Sequence, residues 1–177
     1  SEILALLRFL DSPIDNLSFA SFILSEIFSK ASGIGSEEIR DFIFRVNGRD
    51  KEKTSYLYRE FRQQYPQVWE RLIEEFFRSV GFIPLYELVI SIFSRFNVIK
   101  EFYDYQGFFM RFLELIKEQE EEHPGISSFL EFFDRTTDED LYVNITENNS
   151  VKVLTIHKAK GLEFPAVIIP FLELNVK

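Results

Sequence analysis

Apolar residues recur at helical spacing through most of this chain, and runs that read as strands come only near its end. Ile3, Leu6, Leu7 and Leu10 mark a first helix, which Asp11-Ser12-Pro13 brings to a stop. Residues 17–31 carry Phe19, Phe22, Ile23 and Ile27 on one side and predict a single helix. Ser32-Gly33-Ile34-Gly35-Ser36 breaks it, and Ser36 is placed to cap the next. That helix has Ile39, Phe42, Ile43 and Val46 as its stripe, with Phe44 outside it, and Gly48-Arg49-Asp50 marks a loop. The pattern predicts further helices over 55–64, 67–79, 85–96, 107–121 and 127–135. Pro66, Pro84 and Pro124 stand where helices start or stop.

The pattern changes after residue 135. Residues 136–150 are polar and acidic, with Asn148-Asn149 as a turn. Two runs that read as strands follow, 151–156 and 166–170, the second apolar on both faces as in a buried parallel sheet. Two strands do not sustain a sheet alone, so this end reads as the edge of another domain. The expected fold class is therefore mainly α, a multi-helix domain with a short strand pair at its C-terminal end. No internal repeat of convincing period is present.

Composition narrows the picture. With 46% hydrophobic and 28% charged residues, the chain is globular rather than disordered. The 21 phenylalanines supply a substantial core, and their stripes read as core rather than base-stacking platforms. No apolar run approaches the roughly 18 residues of a membrane span, and no basic segment opens a signal peptide. Without cysteine there are no disulfides or thiolate metal sites. A cytoplasmic protein with no membrane partner is the expectation.

A formal net charge of −9 argues at first against nucleic acid. The excess is local: residues 100–150 hold thirteen acidic and four basic residues, and 13 − 4 accounts for all of it. Residues 40–62 hold seven basic residues (Arg40, Arg45, Arg49, Lys51, Lys53, Arg59, Arg62) against four acidic. Residues 151–177 are also net positive. Both regions are candidates to face DNA, and a solvated surface of mixed charge is the plain alternative.

The candidate chemistry lies between the two strand-like runs, from Thr155 to Pro165. A polar loop leaving the end of a buried strand is where open α/β sheets bind ligands. Thr155, His157, Lys158, Lys160 and Glu163 offer a hydroxyl, an imidazole, two ammonium groups and a carboxylate within nine residues. Gly161 permits a tight turn or a close backbone approach. Such a loop suits phosphate oxygens and sugar hydroxyls better than proton transfer on a small substrate.

The run TIHKAKGLEFPAVIIP resembles motif V of UvrD/Rep-type DNA helicases. The opening LALLRFLDSPIDNLSFASFIL, with its Asp11, Pro13 and Asp15, resembles the segment that precedes the accessory domain in the RecB/AddA branch. The aromatic-rich helices followed by GISSFLEFFD fit the same branch. The resemblance implies a helix of the second RecA-like motor domain at 1–16, an inserted helical accessory domain at 17–147, and a truncated motif V edge at 148–177. It implies that Thr155, His157 and Lys158 lie near single-stranded DNA, and that Glu163, beside Gly161, reaches the ribose of ATP. ATP and magnesium would belong to the intact parent, with none expected on this chain alone. The implied parent is a helicase or helicase–nuclease, with exonuclease activity in the RecB/AddA case. It would process double-strand breaks for recombination and repair, with a partner subunit possible.

The Ser32 to Ser36 turn looks like the Gly-x-Gly turn of a helix-hairpin-helix. There, amides at a helix start hold a phosphate of duplex DNA, which makes Gly33 and Gly35 candidates. Glu37 and Glu38 in the first turn favour the helix but repel phosphate, and a simple interhelical turn is the alternative.

Other parts of a motor are not found. None of the seven glycines is followed by lysine, so there is no GxxxxGK[ST] phosphate loop. Asp138-Glu139 sits in a polar stretch rather than at the end of an apolar strand. The chain is expected to have no catalytic residues of its own. His123 reads as a solvated loop residue, and Glu118 with Glu120 to Glu122 as a solvated helix end. The second functional reading is a helical protein-interaction module without DNA or nucleotide. In either case the unpaired strands are expected to pair with the helical body or with a second copy.

Overall fold

The computed structural model describes residues 2–48, 56–135 and 166–168. The chain divides into two compact units, Ser1–Val143 and Asn144–Lys177. The first is built entirely of helices among its described residues.

Helix α1 (Glu2–Asp11) is apolar on nearly every side, with Ile3, Leu4, Leu6, Leu7, Phe9 and Leu10 all buried. Such a helix belongs inside a core, and α1 packs mainly on α2 (Asn16–Ile23) and α11 (Ile126–Arg135). Arg8 pairs with Asp134, and Ser127 donates to the Asp11 carboxylate, so α1 and α11 are joined at both ends of their contact. Asp15 caps α2 by accepting the Ser18 N–H at 3.0 Å, and hydrogen bonding from the Ser18 side chain, then from that N–H, holds its carboxyl below the usual range.

The helix expected over 17–31 is two helices. It breaks at Leu24-Ser25, where α3 (Glu26–Ser32) begins. Ser25 turns extended (φ −72°, ψ 158°), is buried, and accepts the Phe28 N–H at 3.1 Å. Helical periodicity ran through the break because both pieces bury the same side. The helix expected over 67–79 is likewise divided into α6 (Pro66–Leu72) and α7 (Glu74–Ser79). At the joint, Ile73 is fully buried at φ −122°, and this turns the Glu74 carboxylate back onto the indole N–H of Trp69.

Helices α4 (Ser36–Asn47), α5 (Leu57–Gln64), α8 (Leu85–Arg95) and α10 (Gln106–Gln119) lie where the pattern puts them, within a residue or two. Ser36 is the first helical residue of α4, not its cap; Gly35 holds that position. Asn97, left-handed at φ 52°, opens the four-residue α9 (Val98–Glu101), and a 3-10 turn follows at Tyr103–Tyr105. Neither was foreseen, being too short to show a period.

The core is aromatic. Phe9 contacts Phe19 (4.5 Å between centroids), Trp69 (6.4 Å) and Phe77 (6.0 Å), and Phe19 continues through Phe61 to Phe28 and Phe42. Most of these pairs are tilted or edge-to-face, each worth about 0.5–1.5 kcal/mol beyond the area it buries. The phenylalanine stripes are core, as the sequence reading had it.

The expected strand pair is not found among the described residues. Residues 166–168 have no regular secondary structure and are exposed, with Val167 and Ile168 66% and 87% accessible. An apolar strand takes its place in a sheet only beside neighbouring strands. The rest of 151–156 and 166–170 lies outside the described residues. Among the described residues, no helix is long and apolar enough to cross a membrane.

Candidate nucleic-acid interface

The turn between α3 and α4 rests on a short helix secured at both ends. At its start, the Glu2 carboxylate accepts the N–H groups of Glu26 (3.2 Å) and Ile27 (3.1 Å). At its end, the Arg71 guanidinium donates to the carbonyls of Ala31 and Ser32, each at 3.3 Å. An anion at the amino end and a cation at the carboxyl end both suit the helix dipole. Gly33 then takes the left-handed conformation (φ 76°) that terminates α3, its N–H donating to Ser29 O at 3.0 Å. Within the turn, Ser29 Oγ donates to Ile34 O and Ile34 N–H to Ser32 Oγ, and Ile34 is buried as the anchor.

Gly35 differs from Gly33. Its backbone is extended (φ −69°, ψ 149°), and a Cβ there would meet nothing within 4 Å. The fold does not require glycine at 35. With no side chain at the cap, the amino end of α4 is left bare. Glu37 and Glu38 flank it, both exposed, with Glu38 accepting the Tyr65 hydroxyl at 3.0 Å. Burial, together with that bond, pushes the Tyr65 phenol above its ordinary range. Helices α3 and α4 find their main partners elsewhere: α3 on α2 and α6, α4 on α5.

The basic stretch 40–62 is divided by its partners. Arg62 pairs with Glu74 at 3.2 Å and lies over the Trp69 ring, so its charge is taken up internally. Arg45 Nε donates to the Asp41 carbonyl at 3.3 Å. Arg40 and Arg59 are exposed, and Arg49, Lys51 and Lys53 lie outside the described residues. The indole bond, then Arg62 and Arg78, hold the Glu74 carboxyl below its usual range. Most other cations of the helical unit are paired too: Lys30 with Glu26, Arg95 with Glu75, Arg111 with Glu114 and Glu118, Lys117 with Glu120.

Of the residues singled out in the sequence, the structure thus places Gly33 and Gly35 in one exposed turn. Thr155, His157, Lys158, Lys160, Gly161 and Glu163 lie outside the described residues. No group of three or more metal-binding side chains is present among the described residues. Glu2 and Arg71, which fix the turn, carried no sequence signal, because each acts on backbone groups far away in the chain.

Residues 1–176 match the model of the UvrD-like helicase C-terminal domain. The chain belongs to that family. As a UvrD-like helicase C-terminal domain it is also similar to the RecBCD enzyme subunit RecB of Buchnera aphidicola subsp. Schizaphis graminum (strain Sg). The two are 25% identical over 186 residues, covering 99% of this chain and 14% of that protein. This UvrD-like domain therefore spans about 14% of the length of that relative. No solved structure matches it. The family assignment agrees with the resemblance carried by LALLRFLDSPIDNL and TIHKAKGLEFPAVIIP.

Proposed function

We propose that this chain is the part of an ATP-driven DNA translocase where, in sequence order, a motor-domain helix (1–16) is followed by a helical accessory domain (17–147) and the motif V edge (148–177). The observation that carries this reading is the family match running from residue 1 to 176, through the polar loop at 155–163. In the parent, closure of two motor domains on ATP and magnesium would move single-stranded DNA past Thr155, His157 and Lys158. Glu163, next to Gly161, would hold the ribose and report nucleotide state to the strand. A hydroxyl, an imidazole and an ammonium group suit a strand's phosphates and sugars, and a carboxylate suits a ribose diol.

The accessory helices would position duplex DNA at the Gly33–Gly35 turn, or a partner subunit. The similarity to a protein named as a RecBCD subunit supports a helicase–nuclease complex acting on DNA breaks. The test is the ATPase of the intact gene product. Single-stranded DNA should stimulate it, His157→Ala should reduce that stimulation, and Glu163→Gln should raise the KM for ATP. Hydrolysis indifferent to DNA and to both substitutions would end this reading.

A second reading, a helical scaffold without DNA contact, is favoured by the extent to which cations of the helical unit are paired with carboxylates. Salt-sensitive binding of single-stranded or forked DNA by this chain separates the two; a scaffold binds at no salt concentration.

A further inference from the structure

Arg59 stands apart from the paired cations. It is exposed on the first turns of α5, and its recorded partners are aromatic. Its Nε donates to the Tyr58 hydroxyl at 3.1 Å, and its guanidinium carbon lies 5.1 Å from the Tyr56 ring centroid and 5.8 Å from that of Tyr58. The two rings stand near parallel, 23° apart with centroids at 6.2 Å. Hydrogen bonding to Tyr58, then the neighbouring phenols, strengthens the guanidinium's hold on its proton.

The platform is anchored. Tyr58 packs on Phe9, Trp69 and Phe77, at centroid distances of 5.9, 5.9 and 5.5 Å. The backbone between the two tyrosines is fixed as well, since Asn16 Oδ1 accepts the Leu57 N–H at 2.8 Å from the start of α2. A guanidinium held over a ring loses little freedom when it binds, and its remaining N–H groups form a planar fork for phosphate. A half-buried tyrosine beside it offers a face to a base.

We infer that Tyr56 and Arg59 form a single-strand contact on the accessory helices, Arg59 holding a backbone phosphate and Tyr56 stacking on the adjacent base. The α5 helix places its amino end, the positive end of its dipole, at the same spot. The surrounding stretch 40–62 is one of two net basic parts of an acidic chain. This inference rests on the DNA-translocase reading and adds to it a contact distinct from motif V.

The test uses the full 177-residue chain and anisotropy of a fluorescein-labelled oligothymidylate of about 20 nucleotides, longer than the roughly 4–16 nucleotides of an ordinary single-strand site. An abasic strand of the same length and a duplex serve as comparison probes. Arg59→Ala removes an exposed side chain and should weaken oligothymidylate binding about tenfold and flatten its salt dependence. Tyr56→Ala should weaken binding to oligothymidylate about fivefold and binding to the abasic strand clearly less, since there only the support of Arg59 is lost. Arg78→Ala, which removes an exposed arginine committed to Glu74, should change neither. Wild-type binding that survives both Arg59→Ala and Tyr56→Ala within twofold overturns this inference and leaves the translocase reading standing. Equal losses on thymidylate and abasic strands overturn the stacking role of Tyr56. No binding to any probe overturns the contact and marks this chain as the scaffold of the second reading, while DNA-stimulated ATPase of the intact gene product tests the parent separately.

Discussion

The Glu2 carboxylate accepts the backbone N–H of Ile27 at 3.1 Å, so a side chain of α1 caps α3. With the Glu26 N–H also on Glu2 and the Phe28 N–H on Ser25 Oγ, the first-turn amides of α3 are satisfied without water. Glu2→Ala should therefore cost about 1–2 kcal/mol, the range for a lost charged cap. Glu2→Gln, which keeps an acceptor oxygen without the charge, should recover part of it. Urea unfolding of the three proteins measures this, and equal midpoints would mean that solvent replaces Glu2 at no cost.

The α-helical class and most of the core were legible in the sequence, because Ile39 to Val46 and the later helices carry one apolar side each and α1 is apolar nearly all round. The breaks at Ser25 and Ile73 were not. At the first, Glu2 reaches the start of α3 from another helix, and at the second the Glu74 carboxylate folds back onto Trp69 five residues before it; neither contact leaves a mark on local periodicity. The Gly33–Gly35 turn could be read as a turn, but not that Arg71 closes the helix before it. Tyr56 and Arg59 were lost within a long basic stretch, where Arg62 looks the same in sequence but is paired with Glu74. The 155–163 loop was legible by wording alone.

Glu74 makes stability depend on acid. Its carboxyl is held below the ordinary 4.5 by the Trp69 indole first, and by Arg62 and Arg78 after it. A depressed folded-state pKa adds stability above the unfolded value, and that contribution is lost as pH falls through the folded one. Glu74→Gln should thus be less stable than wild type at pH 7, and the gap should narrow as pH drops below about 4.5. Paired urea titrations across that range check it. A gap constant with pH would show that the carboxylate charge contributes nothing.

The two glycines of the turn should respond in opposite ways. Gly33 is at φ 76°, where a Cβ is strained whatever the space around it, so Gly33→Ala should cost about 1 kcal/mol. Gly35 is at an ordinary extended φ with open space around it. Gly35→Asp should keep or slightly raise stability, since aspartate is a better cap and its charge suits the helix start. The same substitution should weaken binding of duplex DNA if phosphate sits at that turn. Thermal melts and a salt titration on one preparation give both answers, and unchanged duplex affinity would dispose of the turn as a DNA site.

Phe9 joins α1 to the rest of the aromatic core, in contact with Phe19, Trp69, Phe77 and Tyr58 and fully buried. Truncating such a ring removes its transfer energy and leaves a cavity that helices pinned by Arg8–Asp134 cannot easily close. Phe9→Ala should cost about 3–5 kcal/mol, and Phe9→Leu clearly less, since most of the volume remains. Trp69, the single tryptophan, is 1% exposed and lies against Phe9, so its emission reports the change directly. In Phe9→Ala the unfolding transition should move to much lower urea, with a red-shifted emission in the absence of denaturant if the unit no longer folds. A Phe9→Ala protein with wild-type emission and midpoint would mean that α1 is not part of the cooperative core.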